Sequence, residues 1–203
     1  MSETTVEELE RLLCEALELG EKGEVWKEIC IYDGIDCRFG ADESPDVRAR
    51  VAEALLFKGI ALGEQGETML EIAIYDTIYR RFGKDRSPDV REQVAKALVG
   101  KGATLGEQGK TEKAVQVFNG IDRRFGKNRS PGVREQVINA LLNKGIALVE
   151  LGRVEEAITV FDDINHRFRG LQSPEVQKQV LKARTYKKHY SKHLPYDTLL
   201  IQP

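Results

Sequence analysis

The phrase "RRFGKDRSPDVREQVAKAL" at residues 80–98 returns as "RRFGKNRSPGVREQVINAL" at 123–141, 43 residues further on. The same step runs through the chain. An Arg-Phe pair stands at Arg38-Phe39, Arg81-Phe82, Arg124-Phe125 and Arg167-Phe168. A Ser-Pro pair stands at Ser44-Pro45, Ser87-Pro88, Ser130-Pro131 and Ser173-Pro174. Tyr32, Tyr75, Phe118 and Phe161 make an aromatic ladder on this period, and Ile35, Ile78, Ile121 and Ile164 an aliphatic one. Such a period marks a repeat architecture. One small unit cannot bury its apolar face alone, so stacked copies must present the same faces at the same spacing. The expectation is a single domain over 1–203. Repeats fall near 2–44, 45–87, 88–130 and 131–173, with a capping helix at 174–192 and an irregular tail at 193–203.

Each unit reads as two helices. Ser-Pro is a helix start: serine caps free N–H groups and proline suits the first turn. Val90, Val94, Leu98, Gly102 and Leu105 then recur on one helical face. Gly23, Gly66, Gly109 and Gly152 break the first helix of each unit. A second amphipathic run follows, such as Ala114, Val117, Phe118 and Ile121 to Phe125. Gly40, Gly83 and Gly126 stand where a left-handed C-cap glycine belongs. The pattern predicts helices near 4–22, 24–39, 46–65, 67–82, 88–108, 110–125, 131–151, 153–168 and 174–192. No segment alternates with period two, so the class is all-α.

Composition narrows the function. A formal net charge of −2 argues against whole-chain capture by nucleic acid. Charge is uneven, however. Residues 1–40 carry eleven acids and four bases, and 174–193 carry one acid and six bases. Cys14, Cys30 and Cys37 show no metal-type spacing and are expected to be reduced, mostly buried thiols of a cytoplasmic protein. The polar N-terminus is no signal peptide, and no apolar run reaches membrane-spanning length.

"ALVGKGATLGEQGKTEKAVQVF" (97–118) and "ALLNKGIALVELGRVEEAITVF" (140–161) resemble the tetratricopeptide repeat. The family's small first-helix residue matches Gly102 and Gly145, its breaking glycine Gly109 and Gly152, its second-helix alanine Ala114 and Ala157, and the aromatic after it Phe118 and Phe161. Glycine facing alanine is expected to let the helices cross closely. There are departures: the unit is longer than the family's, Lys58, Lys101 and Lys144 replace a usual leucine, and Glu28 and Glu71 replace the alanine. Those two glutamates imply looser or rotated packing. HEAT repeats are the rival, because "SPDVREQVAKAL" is similar to their helix start. The resemblance to either implies an α-solenoid. The tetratricopeptide reading implies a right-handed superhelix whose first helices line a concave groove.

That resemblance also places groove residues. They are Glu53, Leu56, Phe57, Ile60 and Glu64 in the second unit; Lys96, Val99, Gly100, Ala103 and Glu107 in the third; and Asn139, Leu142, Asn143, Ile146 and Glu150 in the fourth. The stripe is apolar and edged by glutamates; only Lys96, Asn139 and Asn143 could serve a carboxylate clamp, so none is expected. A protein or peptide partner with apolar anchors is expected, in a non-catalytic interaction scaffold without cofactor or metal. The alternatives are a regulatory or sensor module for a separate enzyme, and nucleic-acid or anionic-surface binding through the basic C-terminal helix.

Other motifs reduce to structure. "GEQGKT" (106–111) has Thr104 where a phosphate-binding loop needs glycine, and no strand before it, so it is an inter-helix turn. His189 and His193 form an i, i+4 pair without a third zinc ligand. Arg184, Lys188 and Ser191 replace Leu98, Gly102 and Leu105, as a terminal cap requires. Lys58, Lys101 and Lys144 are expected to pair with the row Asp76, Asn119 and Asp162.

Overall fold

In a computed structural model, which describes residues 4–171 and 173–191, each Ser-Pro begins a helix at the proline. Nine helices occur among the described residues: α1 (Thr5–Glu21), α2 (Val25–Phe39), α3 (Pro45–Glu64), α4 (Thr68–Phe82), α5 (Pro88–Glu107), α6 (Thr111–Phe125), α7 (Pro131–Glu150), α8 (Val154–Phe168) and α9 (Pro174–Ser191). No strand occurs among those residues, and no helix is long and apolar enough to cross a membrane. Expected and observed helix ends differ by at most one residue. The expected tail, residues 193–203, lies outside the described residues.

The helix starts differ chemically from expectation. Ser44 and Ser130 hold the N-cap position, yet neither side chain caps. Instead each serine's backbone N–H donates to the side chain two residues earlier. The acceptors are Asp42 Oδ1 at 2.7 Å for Ser44, Asp85 Oδ1 at 2.9 Å for Ser87 and Asn128 Oδ1 at 2.7 Å for Ser130. An Asx turn fixes the entry, and proline supplies the preset φ.

The helix ends are also exchanged relative to expectation. Gly40, Gly83 and Gly126 end α2, α4 and α6 in right-handed conformation, at φ −63°, −59° and −57°. The left-handed glycines are those that end the first helices: Gly23, Gly66, Gly109 and Gly152, at φ 71° to 79°. Gly109 N–H bonds to Gly106 O at 2.8 Å and Lys110 N–H to Leu105 O at 2.9 Å, which is the Schellman arrangement. It turns α5 back into α6 within three residues.

The chain divides into two compact units, Met1–Lys101 and Gly102–Pro203, the division falling within α5. In the first, α1 packs on α2, α2 on α3, α3 on α4, and α1 also on α3. In the second, α6 packs on α7, α7 on α8, α8 on α9, and α7 also on α9. This sequential packing is that of a helical repeat. The ladders form the core: Tyr32, Ile35, Tyr75 and Ile78 are buried in the first unit, and Phe118, Ile121, Phe161 and Ile164 in the second.

The close helix crossing rests on glycine against an aromatic ring, rather than glycine against alanine. A Cβ on Gly102 would lie 2.3 Å from Phe118 Cε1, and one on Gly145 2.4 Å from Phe161 Cε1. Ala114 instead faces Gly106. The first unit keeps this crossing, a Cβ on Gly59 lying 2.7 Å from Tyr75 Cε1, but replaces the alanine with a glutamate. Tyr32 donates to Glu28 Oε1 and Tyr75 to Glu71 Oε1, each at 3.0 Å, and all four residues are buried. Each carboxylate lies over a glycine: a Cβ on Gly20 would be 2.6 Å from Glu28 Oε2, and one on Gly63 2.7 Å from Glu71 Oε2. Glu28 and Glu71 therefore do not loosen the packing. They supply the acceptor that a buried phenol requires. Burial, then the bond to Glu28, raises the Tyr32 pKa.

Ion pairs join successive repeats. Lys58 pairs with Asp33, Lys101 with Asp76 at 2.5 Å, and Lys187 with Asp162 at 2.6 Å. Each lysine thus reaches the acid of the preceding unit, so Lys58 meets Asp33 and not Asp76. Lys144 falls opposite Asn119 in this register, where the ladder lacks its acid. Arg167 Nη2 bonds Asp122 Oδ1 at 2.9 Å and the Gly126 carbonyl at 3.2 Å; Arg81 reaches Asp36 and the Gly40 carbonyl likewise. A Cβ at Gly126 would lie 2.5 Å from the Asp122 carbonyl oxygen, with Asp122 Oδ1 at 2.6 Å and that Arg167 nitrogen at 2.9 Å, which leaves no room for a side chain. The arginines thereby sit on the negative ends of α2 and α6.

Candidate functional site

The first helices present one face four residues apart, and in the second unit that face meets a cleft. Ala103 and Glu107 of α5 and Asn143, Ile146 and Glu150 of α7 line it, over a floor of Gly102, Ala114 and the Phe118 ring. Its volume is about 270 Å³. The cleft exists because small residues floor it: Gly102 and Gly106 have no side chain, and Ala114 and Ala147 only a methyl. Glu107 and Glu150 are exposed at its edge. Five residues expected in a groove, Ala103, Glu107, Asn143, Ile146 and Glu150, thus lie together. Asn139 stands apart, its amide donating weakly to Gln136 Oε1 at 3.5 Å.

The other expected positions have mixed fates. Leu56 and Leu142 are buried, so they belong to the helix packing and are closed to a ligand. Phe57 is half-buried, its ring 6.2 Å from that of Tyr32. Ile60 is 41% exposed and Glu64 is exposed. Val99 is half-buried, and Lys96 pairs with Glu92 at 2.9 Å.

The first unit holds a second, polar pocket of about 440 Å³, at the N-terminal ends of α3 and α5. Asp46, Arg50 and Glu53 line it from α3, and Asp89, Glu92, Gln93 and Lys96 from α5. Arg50 donates to Glu53 at 2.8 Å and to Glu10 at 2.6 Å. The bond to Glu53, and after some desolvation the one to Glu10, raises the guanidinium pKa. Gln93 is 8% exposed, and its amide oxygen is buried with no hydrogen-bond partner among the described residues. Sequence reasoning overlooked this residue. Its signal is on the same period: Arg50, Gln93, Gln136 and Gln179 form a polar ladder within otherwise apolar first helices.

At the C-terminal end, two of the cations of α9 engage α8. Lys187 bonds Asp162 through both oxygens and Arg184 donates to Asn165 Oδ1 at 2.7 Å. Tyr186 and Tyr190 pack on Phe161. His189 lies edge-on to Tyr190, and His193 lies outside the described residues. No group of three His, Cys, Asp or Glu among the described residues is placed to hold a metal. Cys14, Cys30 and Cys37 are exposed free thiols, not buried ones, because they fall on the outward faces of α1 and α2. The turn at 106–111 joins two helices, as its glycine requires. No protein-family model, curated protein or solved structure matches the chain.

Proposed function

We infer that the chain is a non-catalytic interaction module of the tetratricopeptide kind, a right-handed solenoid that holds a peptide or helix against its first helices. The observation that carries this reading is the cleft of the second unit, where Ala103, Ile146 and Asn143 meet over the Phe118 ring. Its apolar floor suits an apolar anchor side chain, and Glu107 and Glu150 at its edge suit basic flanks. The glycine-on-ring crossing at Gly102 and Gly145 supports the family assignment, and the cytoplasm is the compartment proposed. The test is to pan a displayed random-peptide library on the full chain. Enriched peptides should carry an apolar anchor beside Lys or Arg. They should lose binding to an Ala103→Glu, Ile146→Glu variant that keeps its helical circular dichroism. Binding that survives both substitutions removes this cleft from the reading.

A further inference from the structure

The polar pocket of the first unit has a surplus of hydrogen-bond acceptors. Four carboxylates line it, and its two cations are already engaged: Arg50 with Glu53 and Glu10, and Lys96 with Glu92. Asp46 and Asp89 make no ion pair among the described residues. Gln93 shares their lining; it is more than nine-tenths buried, and its oxygen accepts from nothing described. An unpaired buried acceptor costs roughly 1–3 kcal/mol, so its retention calls for a reason. The surrounding unit has the same sign, with 22 acidic and 14 basic residues between 1 and 101.

We propose that this pocket binds a guanidinium group, presented as an arginine side chain of a partner protein. A ligand here must bring donors and positive charge, which excludes carboxylates and phosphates. Guanidinium fits better than ammonium because the acceptors come from three side chains on two helices: Asp46, Asp89 and Gln93. A planar fork of five N–H groups serves several acceptors at once, and its weak hydration makes burial beside Gln93 less costly. Val6 and Ala49 give the pocket an apolar wall for a methylene stem. The site is independent of the cleft in the second unit and stands or falls without it.

The experiment uses the full chain, labelled with nitrogen-15, and three probes: acetyl-arginine amide, the pentapeptide Ac-Gly-Gly-Arg-Gly-Gly-NH2, and the same peptide with lysine. Arginine probes should shift the Gln93 side-chain amide and backbone signals of residues 46–53 and 89–96. The pentapeptide binding more tightly than the amino-acid amide assigns the source to a partner protein; equal binding keeps the site and assigns it to a free guanidinium metabolite. Asp46→Asn with Asp89→Asn should weaken binding about tenfold or more, since charge-assisted bonds are the strong ones. Gln93→Leu, which fills the same space without an acceptor, should weaken it without disturbing the fold. The proposal is overturned if neither arginine probe moves these signals at millimolar concentration, if lysine binds as well, or if the double variant binds like wild type.

Discussion

Gly102 and Phe118 face each other across α5 and α6 so closely that a Cβ on the glycine would lie 2.3 Å from Cε1 of the ring. Gly120, by contrast, sits in the interior of α6 with nothing within 4 Å of where its Cβ would be. The two glycines therefore respond oppositely to substitution. Gly120→Ala should stabilise by about 0.5–1 kcal/mol through helix propensity alone. Gly102→Leu should cost at least about 2 kcal/mol, because its Cβ alone would overlap the Phe118 ring and force ring or helix to shift. Thermal unfolding of both variants checks this, and an unchanged melting temperature for Gly102→Leu would show that the crossing is not set by that contact.

The Tyr32–Glu28 bond predicts a coupled pair. Glu28→Ala should cost about 1–3 kcal/mol by leaving a buried phenol without its acceptor. Tyr32→Phe leaves the carboxylate buried without its donor. The double variant recreates the Phe-and-Ala pattern of Phe118 and Ala114, so it should be less destabilised than the two single costs added together. A double-mutant cycle in urea measures the coupling. Simple additivity would deny it.

Arg48 and Asp85 form a largely buried ion pair of the first unit, 2.8 Å apart. Burial pushes the Asp85 pKa up, but the Ser87 N–H and hydroxyl and the Arg48 guanidinium together hold it below the ordinary carboxylate value. A depressed pKa contributes stability that is complete above the unfolded-state pKa and is lost as pH falls through the folded one. Asp85→Asn should therefore lower stability near pH 7 and narrow the gap to wild type as the solution is acidified below about pH 4. A gap that stays constant down to pH 2 would contradict the assignment.

The break in the lysine ladder at Asn119 is a place to add an ion pair. Asn119→Asp should give Lys144 the partner that Lys101 has in Asp76. At low salt the melting temperature should rise, by less than about 1 kcal/mol in stability, since the pair is partly exposed. In 1 M salt the gain should vanish. No gain at low salt would mean that the register of Lys144 differs from that of Lys101.

The 43-residue period determined the element count, the helix limits and the buried ladders, because local propensity and one-dimensional repetition carry that information. Tyr75, Ile78 and Phe82 could be assigned to a core from spacing alone. Half the candidate cleft, Ala103, Glu107, Asn143, Ile146 and Glu150, was expected from the family resemblance, and the period then pairs Ala103 with Ile146 and Glu107 with Glu150. What only the tertiary structure decided is which neighbour each side chain meets. Whether Leu142 faces a ligand or a helix depends on helix rotation of a few tens of degrees, which periodicity does not resolve. That Gly102 opposes Phe118 rather than Ala114, that Glu28 answers Tyr32, and that Gln93 lies buried among acids depend on distances between helices. Those distances are fixed by packing many side chains at once, and a sequence read one position at a time does not contain them.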